Sequence, residues 1–439
     1  MSTSSARPGS IGRRSLLTGL GVAGSGFALA ACGGPGSGSA GSGGDAGGGS
    51  DGGSGEVTGT VNFYHWRSED KAVLDELAAS FAEQYDGVTL EQTIDPSDPY
   101  QSNAAQKARD GSIGDALTAF RGTQLDQFGE QQIFTDLSGE EFVGNYEANL
   151  ITPGEYDGTQ LGLPYQLVFN MPLLNLDLAE QAGMTEVPRD WDAYLSLMDD
   201  LAATGVTPIA WPGNDPANAF QIINSLAMNL GPDEEMFAKI ESGEYRATDD
   251  WWIQALTQFQ ELSGYFQENF AGSGVDGVLS LFASGQAAIL PTGSYQIGQV
   301  REAGGEFPLE MAPVMTNPAG EEPTYEGIFN STYILGVNSQ AQNPDGARAW
   351  IEFLSQPENA AVYANGTAQH VTVSGVEYEN EDLQALSPWL TANTLLAPRF
   401  QFINLDIRSA IENSLVAVAT GTSPEQAAEE AQALVEDQL

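Results

Sequence analysis

The composition of the chain changes abruptly near Glu56, and this boundary limits what can fold on each side of it. Residues 33–56 are almost entirely Gly, Ser, Ala and Asp. Such a segment cannot bury enough apolar surface to offset the loss of chain entropy, so we expect residues 32–56 to form a flexible linker. The folded core must therefore come from residues 57–439, which are long enough to form more than one domain.

A short apolar segment precedes this linker. Arg13 and Arg14 stand ahead of residues 16–31, which are apolar, rich in glycine and end in small residues. This is the layout of a signal peptide, and the apolar part is shorter than the roughly 20 residues that span a bilayer. The paired arginines resemble a Tat-type signal, although Sec export stays open. We therefore predict a signal peptide over residues 1–31 and an exported protein.

The only cysteine of the chain, Cys32, follows this segment directly. A single cysteine excludes an internal disulfide and any metal site built from several cysteines. The sequence LAAC at residues 29–32 resembles the bacterial lipobox, in which the cysteine sulfur receives a diacylglycerol and becomes the new N-terminus. The resemblance implies a lipid anchor on Cys32 that holds the protein at the outer face of the cytoplasmic membrane.

The charge balance argues against several classes of partner. The chain has 60 Asp and Glu residues against 15 Lys and Arg residues, a net charge of -45. Such a field repels phosphate backbones, which argues against a nucleic-acid partner. The two histidines, His65 and His370, lie far apart in sequence, which argues against a histidine-rich metal site. We therefore predict no metal, no cofactor and no catalytic residue.

After the linker, predicted strands and helices alternate. Residues 58–64 are rich in β-formers, Ser68 has the features of a helix N-cap, and apolar residues then recur at helical spacing up to Gly87. Further strands are predicted at 88–94 and 116–120, and helices at 104–109, 123–130, 191–204, 219–230, 249–267, 277–284, 344–354, 406–420 and 423–437. This alternation with short connections predicts an α/β fold with mostly parallel sheets.

Several sequence blocks occur in an order and at a spacing typical of one protein family. They are GTVNFYHW at 59–66, DGTQLGLPY at 157–165, FNMPLL at 169–174, VPRDW at 187–191, FASGQAA at 282–288 and GSY at 293–295. Together they resemble the family 1 extracellular solute-binding proteins of bacterial ABC importers, which include sugar and maltodextrin binders. The chain departs from the family at 114–116, where Pro-Asp-Val is usual, and at 169–171, where Tyr-Asn-Lys is common.

The resemblance covers nearly all of residues 57–439 and implies a two-lobed periplasmic-binding-protein-like fold. Each lobe would have a central sheet flanked by helices, and three crossings, near Gln166, Pro313 and Val371, would form a hinge. The implied lobes are residues 57–165 with 314–371, and residues 166–313 with 372–439. A monomer of this kind would close around a carbohydrate, a mono- or oligosaccharide, and deliver it to the permease subunits of an ABC transporter.

Candidate ligand-binding residues follow from where the predicted strands end. Ligands bind at the carboxyl ends of such strands, and a sugar is held by an aromatic plane and by charged or amide groups at its rim. Arg121 is the best polar candidate, and Tyr295 matches a family position that often supplies a stacking aromatic. For Trp211, in a turn with an exposed indole, core packing is an equal alternative. The predicted set is Trp66, Arg67, Phe120, Arg121, Gln166, Trp211, Asn214, Tyr295, Asn330, Arg399 and Asn404.

Two other functions remain open at this point. The same scaffold could bind a peptide, a polyamine or another solute, because a fold does not specify its ligand. The many carboxylates could also supply an acid and a base to a secreted glycoside-acting enzyme, although no catalytic sequence block is present. The sequence does not identify the sugar or its permease.

Overall fold

Two β-sheets organise the chain, which the computed structural model describes over residues 57–439. The predicted signal peptide, Cys32 and the linker lie outside these residues. The strands are β1 (Gly59–His65), β2 (Val88–Ile94), β3 (Ala116–Ala119), β4 (Glu155–Tyr156), β5 (Thr159–Gln160), β6 (Leu163–Phe169), β7 (Leu173–Asn175), β8 (Thr207–Ile209), β9 (Ala287–Leu290), β10 (Leu309–Met311), β11 (Gly327–Val337), β12 (His370–Val371) and β13 (Thr394–Leu396).

The helices account for most of the remaining residues. They are α1 (Lys71–Gln84), α2 (Ser97–Asp110), α3 (Thr123–Glu130), α4 (Ala148–Ile151), α5 (Leu176–Gln181), α6 (Trp191–Ala203), α7 (Pro216–Ala219), α8 (Ile222–Met228), α9 (Met236–Glu241), α10 (Asp250–Ser263), α11 (Val275–Ala283), α12 (Ile297–Glu302), α13 (Pro344–Leu354), α14 (Pro357–Thr367), α15 (Glu381–Leu386), α16 (Leu405–Ala419) and α17 (Pro424–Glu436). None of the helices within residues 57–439 combines the length and apolar character that a bilayer crossing requires.

The first sheet has seven strands in the order β12-β6-β11-β3-β1-β2, with β13 paired to β11. The alternation in β1 places Val61 and Phe63 in a buried core. In α1, Leu74, Leu77 and Phe81 recur at helical spacing and pack into the same core. This first core, together with the helices α13 and α14 that cover it, defines lobe 1.

The second sheet has four strands in the order β10-β7-β9-β8 and an apolar core on each face. Successive residues of β7 point to opposite faces, so that Leu173 belongs to one core and Leu174 to the other. Helices α10, α16 and α17 pack on one another over the larger core. This sheet and its two cores define lobe 2.

Two strands of the first sheet, β6 and β11, connect the lobes. The C-terminal half of β11 pairs with β3 in lobe 1, whereas its first residues pair with β13, and Ile328 packs into the core of lobe 2. The crossing that we predicted near Pro313 therefore lies within β11, between Ile328 and Tyr333, which is 15 to 20 residues later, because residues 314–317 still pack in lobe 2. The crossing predicted near Gln166, in the middle of β6, agrees with this arrangement.

The third crossing also comes later than the predicted position, Val371. The backbone amide of Thr372 donates to Tyr165 and that of Ser374 to Asn145, so the chain stays on lobe 1 beyond β12. Leu383 still packs in the first core, whereas Leu395 packs in lobe 2. The crossing lies between these two residues, in a segment with short helical turns that carries no strong local signal in the sequence.

The predicted α/β class is confirmed, but the strands are not mostly parallel. In the first sheet, three strand pairs are parallel and three are antiparallel, because β11 is antiparallel to β3 and β6, and β6 is also antiparallel to β12. The helices predicted at 123–130 and 344–354 have the predicted bounds. The predicted N-cap at Ser68 is wrong: α1 starts after Asp70, and the Ser68 hydroxyl lies against Glu69 instead.

Candidate functional site

An aromatic pair lies at the carboxyl ends of β1 and β3, next to the region between the lobes. The rings of Trp66 and Phe120 are stacked with their centroids 3.8 Å apart and an interplanar angle of 16°. Tyr100 and Tyr333 contact the Trp66 indole edge-on, at 5.1 and 5.0 Å. These edge contacts hold the indole in one orientation. Trp66 is only 7% exposed and supports the partly buried ring of Phe120, and both residues directly follow strands, as the sequence predicted.

Arg67 and Gln166 take part in a buried polar network beneath this pair. The Arg67 guanidinium donates two hydrogen bonds to Asp70, at 2.8 and 2.9 Å, and also pairs with Glu69. Burial lowers the pKa of Arg67, but the charges of Asp70 and Glu69 outweigh this effect and raise it. The Gln166 amide and the Tyr363 hydroxyl both donate to Asp70. Arg67 and Gln166, which we predicted as ligand-binding residues, therefore already have hydrogen-bond partners within the protein and support the site.

Three amide side chains line one face of the strands that connect the lobes. Asn330 lies opposite Val168 across the β11–β6 pair, and the same register extends through β6 to Gln369, which precedes β12. Asn170 follows β6 two residues beyond Val168, on the same face. Each of the three is almost fully buried, and each has an amide oxygen without a hydrogen-bond partner among the described residues. We call Asn170, Asn330 and Gln369 the amide floor.

Buried carbonyl oxygens without partners cost free energy, because they lose their bonds to water on folding. The cost is recovered when a ligand supplies hydrogen-bond donors. Hydroxyl groups and N–H groups are the donors that fit such oxygens. The amide floor is therefore an acceptor-rich surface for a polar ligand.

Tyr295 forms the lobe 2 side of the site. Its hydroxyl donates to Asn218 at 2.8 Å, and its backbone carbonyl accepts from Gln369 of the amide floor at 3.4 Å. Burial raises the pKa of Tyr295; the charge of Arg399 lowers it and that of Asp215 raises it. The phenol ring is therefore fixed by a neighbour from its own lobe, and its backbone is joined to lobe 1.

A second contact between the lobes involves residues 120–124 and residues 397–403, which we call the interlobe contact. Arg121 donates to the backbone carbonyl of Ala397 at 2.5 Å. The Thr123 hydroxyl lies 2.9 Å from the carbonyl oxygen of Phe402. Gly122 has a φ of 77°, and a Cβ at this position would meet the carbonyl oxygen of Phe400 at 2.5 Å. Only glycine fits this turn, and the lobes touch along this edge.

The structure places four other predicted residues away from the floor. Trp211 has an exposed fraction of 0%, stacks on Phe266 and donates its indole N–H to Ala219, so the expectation of an exposed indole is wrong. The reason is that Phe266, 55 residues further along the chain, packs against the ring. Asn214 is an exposed turn residue whose backbone amide donates to Ser273.

Arg399 and Asn404 have structural partners in lobe 2. The Arg399 guanidinium donates to Glu412 at 2.6 Å, and both side chains are almost fully buried. Asn404 is the N-cap of α16, where its side-chain oxygen accepts the backbone amides of Asp406 and Ile407. The sequence prediction did not include these partners. It took Arg399 and Asn404 as ligand-binding candidates because of their residue types, without regard to their position relative to a helix.

Sequence reasoning missed two members of the amide floor. Asn170 lies within the FNM segment that we used only for the family resemblance, and its position after a crossing strand could have identified it. Gln369 precedes a strand of two residues, which is too short to give a sequence pattern. As for metals, no group of three His, Cys, Asp or Glu side chains among the described residues could hold an ion.

Comparison with known proteins now adds to this geometry. Residues 76–388 match the family described as bacterial extracellular solute-binding protein, which is most of the chain. This chain belongs to the bacterial extracellular solute-binding protein family. The family resemblance noted from the sequence blocks is thereby confirmed, and the aromatic pair, the amide floor and Tyr295 are the candidate solute-binding site of a member of that family.

Individual relatives of this solute-binding protein are distant. A probable sugar-binding periplasmic protein of Brucella melitensis is 26% identical over 200 residues, which are 44% of this chain and 47% of the relative. The match thus spans about half the length of that relative. The multiple sugar-binding protein of Streptococcus mutans is 18% identical over 343 residues, which are 75% of this chain and 79% of the relative.

Solved structures show the same fold. The SBP RafE in complex with raffinose has a TM-score of 0.74 at 18% identity, over 87% of this chain and 99% of that chain. Maltose-bound MalE3 of T. maritima has a TM-score of 0.72 at 18% identity, over 87% of this chain and all of that chain. At this identity the likeness shows the fold alone, the two-lobed periplasmic-binding-protein fold.

Proposed function

We propose that this protein is the carbohydrate-binding component of an ABC importer, which captures a mono- or oligosaccharide between its lobes by hinge closure and delivers it to a membrane permease. The observation that carries the proposal is the amide floor. The three amide oxygens of the floor that have no partner can accept hydrogen bonds, and a sugar has enough hydroxyl groups to donate one to each of them. The partly buried ring of Phe120, which Trp66 holds in place from one side, offers an apolar surface to the C–H face of a sugar ring.

Hinge closure is the mechanism that fits this arrangement. The floor is built on strands that connect the lobes, while Tyr295 and the interlobe contact belong to surfaces that meet only when the lobes are close. A solute bound on the floor would add bonds to both lobes and stabilise the closed form. The relatives named as sugar-binding support the substrate class.

The charges around the site favour a sugar over a polyamine. A cationic ligand needs carboxylates that are free to pair with it. Asp70, the buried carboxylate of the network that contains Gln166, is already bonded to Arg67, and Glu412, further away in lobe 2, is bonded to Arg399. Binding without turnover is expected, because within residues 57–439 no pair of unpaired buried carboxylates stands at the floor to act as acid and base.

The test is a thermal-shift and calorimetric screen of the full chain against mono- and oligosaccharides, amino acids, peptides and polyamines. A ligand present at 100 times its dissociation constant stabilises the native state by about 2.7 kcal/mol. We expect a carbohydrate series to raise the melting temperature, and Asn330→Leu to abolish the rise. Thr257→Val, which removes an exposed hydroxyl on α10, is the control that should keep it. A polyamine or peptide that shifts the melting temperature while every sugar fails would refute the carbohydrate assignment.

We further propose that Cys32 carries a lipid anchor and that the mature protein stays at the outer face of the cytoplasmic membrane. The LAAC segment and the linker behind it support this. By random-coil scaling the linker reaches about 25 to 30 Å, enough to lift the lobes off the membrane. Mass spectrometry of the N-terminal peptide from membranes should show the added diacylglycerol, and Cys32→Ser should release the protein into the soluble fraction. An unmodified Cys32 in the membrane-bound protein would contradict the proposal.

A further inference from the structure

A small cavity opens at the interlobe contact, beside the outer side of Phe120. It has a volume of about 20 Å³, room for roughly one oxygen atom of a bound group. Residues of both lobes line it, among them Arg121 and Gln124 from lobe 1 and Arg408 from lobe 2. We call these three residues the donor cluster.

Each member of the donor cluster has a buried N–H group without an acceptor among the described residues. These groups are the Nε of Arg121, the Nε2 of Gln124 and the Nε of Arg408. The orientation of the Gln124 amide is fixed, because its Oε1 accepts the backbone amide of Phe120 at 2.8 Å and leaves the Nε2 as a donor. Gln124 is only 3% exposed, so bulk solvent does not reach this amide, and an acceptor must come from a group that enters the cavity.

The cluster also has an excess of positive charge in a strongly acidic chain. Arg121 bonds a backbone carbonyl and lies over the Phe400 ring, and within residues 57–439 no carboxylate lies within ion-pair distance of it. Burial lowers the pKa of Arg121 to about 10, with no neighbouring carboxylate raising it. Arg408 lies 3.8 Å from Glu412, but that carboxylate is bonded more closely to Arg399, at 2.6 Å. Two arginines thus share one carboxylate, and a third has none.

We propose that the donor cluster binds one small anionic group, a carboxylate or a similar oxyanion. Three side chains with buried, unpaired N–H groups line a space that holds one acceptor oxygen, and the local charge is positive. The group has two possible sources: the carboxylate of an acidic sugar bound in the site, or a free anion. The first source rests on the proposed function and deepens it, because it makes the solute an acidic sugar, whereas the second does not depend on it.

The experiment compares matched pairs of ligands by calorimetry on the full chain, at constant ionic strength. D-galacturonate is compared with D-galactose, and D-glucuronate with D-glucose, and acetate and sulfate serve as free anions. We expect an acidic sugar to bind at least about tenfold more tightly than its neutral partner, which is the usual effect of a charge-assisted hydrogen bond.

The substitution Gln124→Glu supplies the missing carboxylate from the protein itself. One oxygen can accept the Phe120 amide as before, and the other takes the place of the Gln124 Nε2 in the cavity that Arg121 and Arg408 also line. We expect this variant to lose the preference for acidic over neutral sugars and to have a higher melting temperature without ligand. The matched controls are Gln127→Glu on the exposed side of α3 and Arg109→Gln on the surface, and both should keep the preference.

The outcomes separate this inference from the proposed function. A preference for acidic sugars that Gln124→Glu removes supports both. Saturable binding of acetate or sulfate, lost in Gln124→Glu and without any preference among sugars, supports the anion site with a free anion as its occupant. Binding of neutral sugars with no response to acidic sugars or free anions overturns the inference and leaves the proposed function intact. The absence of binding by all four sugars and both anions overturns the inference, whereas the proposed function is decided by the wider carbohydrate screen described above.

Discussion

At the level of single residues, the buried arginines differ in the partner that each one has. Arg67 and Arg399 bond carboxylates, whereas Arg121 bonds a backbone carbonyl. Removing one partner of a buried ion pair is costly, because it leaves a buried charge without compensation. An arginine that stabilises the fold can therefore be distinguished from one that binds a ligand. Removal of the neighbouring carboxylate lowers the free energy of unfolding in the first case.

We predict that Glu412→Gln lowers the free energy of unfolding by about 3 kcal/mol or more, because it leaves Arg399 buried without a carboxylate. Urea unfolding followed by circular dichroism measures the change. The control is Glu436→Gln, which breaks the exposed pair with Arg246 and should leave the free energy of unfolding almost unchanged. Equal losses in the two variants would contradict the structural role of the Arg399–Glu412 pair.

The two histidines predict an acid-sensitive stability. Burial lowers the pKa of His65 to about 4, against the raising effect of its bond to Gln92, and burial lowers the pKa of His370 to about 4 as well. Between about pH 6.5 and pH 4 the unfolded chain binds protons that the folded chain does not. The free energy of unfolding therefore falls as the pH drops through this window, by a term on the order of 3 kcal/mol for each histidine.

Urea unfolding at pH 7 and pH 4.5 measures this loss, and the double substitution His65→Gln/His370→Gln isolates the histidine contribution. Glutamine can still donate to Gln92 and to the carbonyl of Leu383, the partners of the two rings. We expect the double variant to lose less stability than the natural chain between the two pH values. An identical loss would mean that carboxylates, and not the histidines, cause the acid sensitivity.

The sequence identified the residues that follow strands, but it did not show which of their side chains are buried in the core. Trp66 and Phe120 could be predicted, because the carboxyl end of a parallel strand is set by local pattern. Trp211 could not, because the groups that bury it, Phe266 among them, come from a segment about 55 residues later. Burial of an aromatic ring is decided by tertiary packing, which residue type alone does not encode.

At the level of elements, Asn404 shows how a helix end can resemble a binding site. Its side chain satisfies two backbone amides at the start of α16. We predict that Asn404→Ala lowers the free energy of unfolding by about 1 kcal/mol and leaves carbohydrate affinity unchanged. Asn404→Asp should restore the stability, since aspartate caps equally well. A selective loss of ligand affinity in the alanine variant, at unchanged stability, would show instead that Asn404 binds the solute.

Strands β1, β2 and β3 and helices such as α3 and α13 could be predicted from local pattern, whereas the crossing strand β11 could not. Helix α13 begins at an Asn343 cap followed by Pro344, a strong start signal. The two halves of β11 instead pair with different strands and pack in different lobes. Nothing in its local sequence marks where one lobe ends, so the boundary predicted at Pro313 was too early.

At the level of the whole molecule, closure depends on a few contacts between the lobes. The Thr123 hydroxyl bonds backbone carbonyls of lobe 2, and valine would keep its shape without the bond. A single hydrogen bond contributes about 1 kcal/mol, so we predict that Thr123→Val weakens carbohydrate binding about fivefold, through faster dissociation. Stopped-flow and calorimetry measure this, with Thr257→Val as control. Slower association at an unchanged dissociation rate would contradict a role in holding the closed form.

The pairing of β1 with late strands has a consequence for the order of events during synthesis. β1 is among the first residues of lobe 1, yet the sheet and core that it joins also need β11 and α13, more than 260 residues further along the chain. Non-local pairings of this kind form late and slowly. A growing chain that has not reached α14 holds the strands of lobe 1 without the layer that covers them. The residues of lobe 1 are thus the first to be synthesised, yet lobe 1 is among the last parts of the protein to complete its folding.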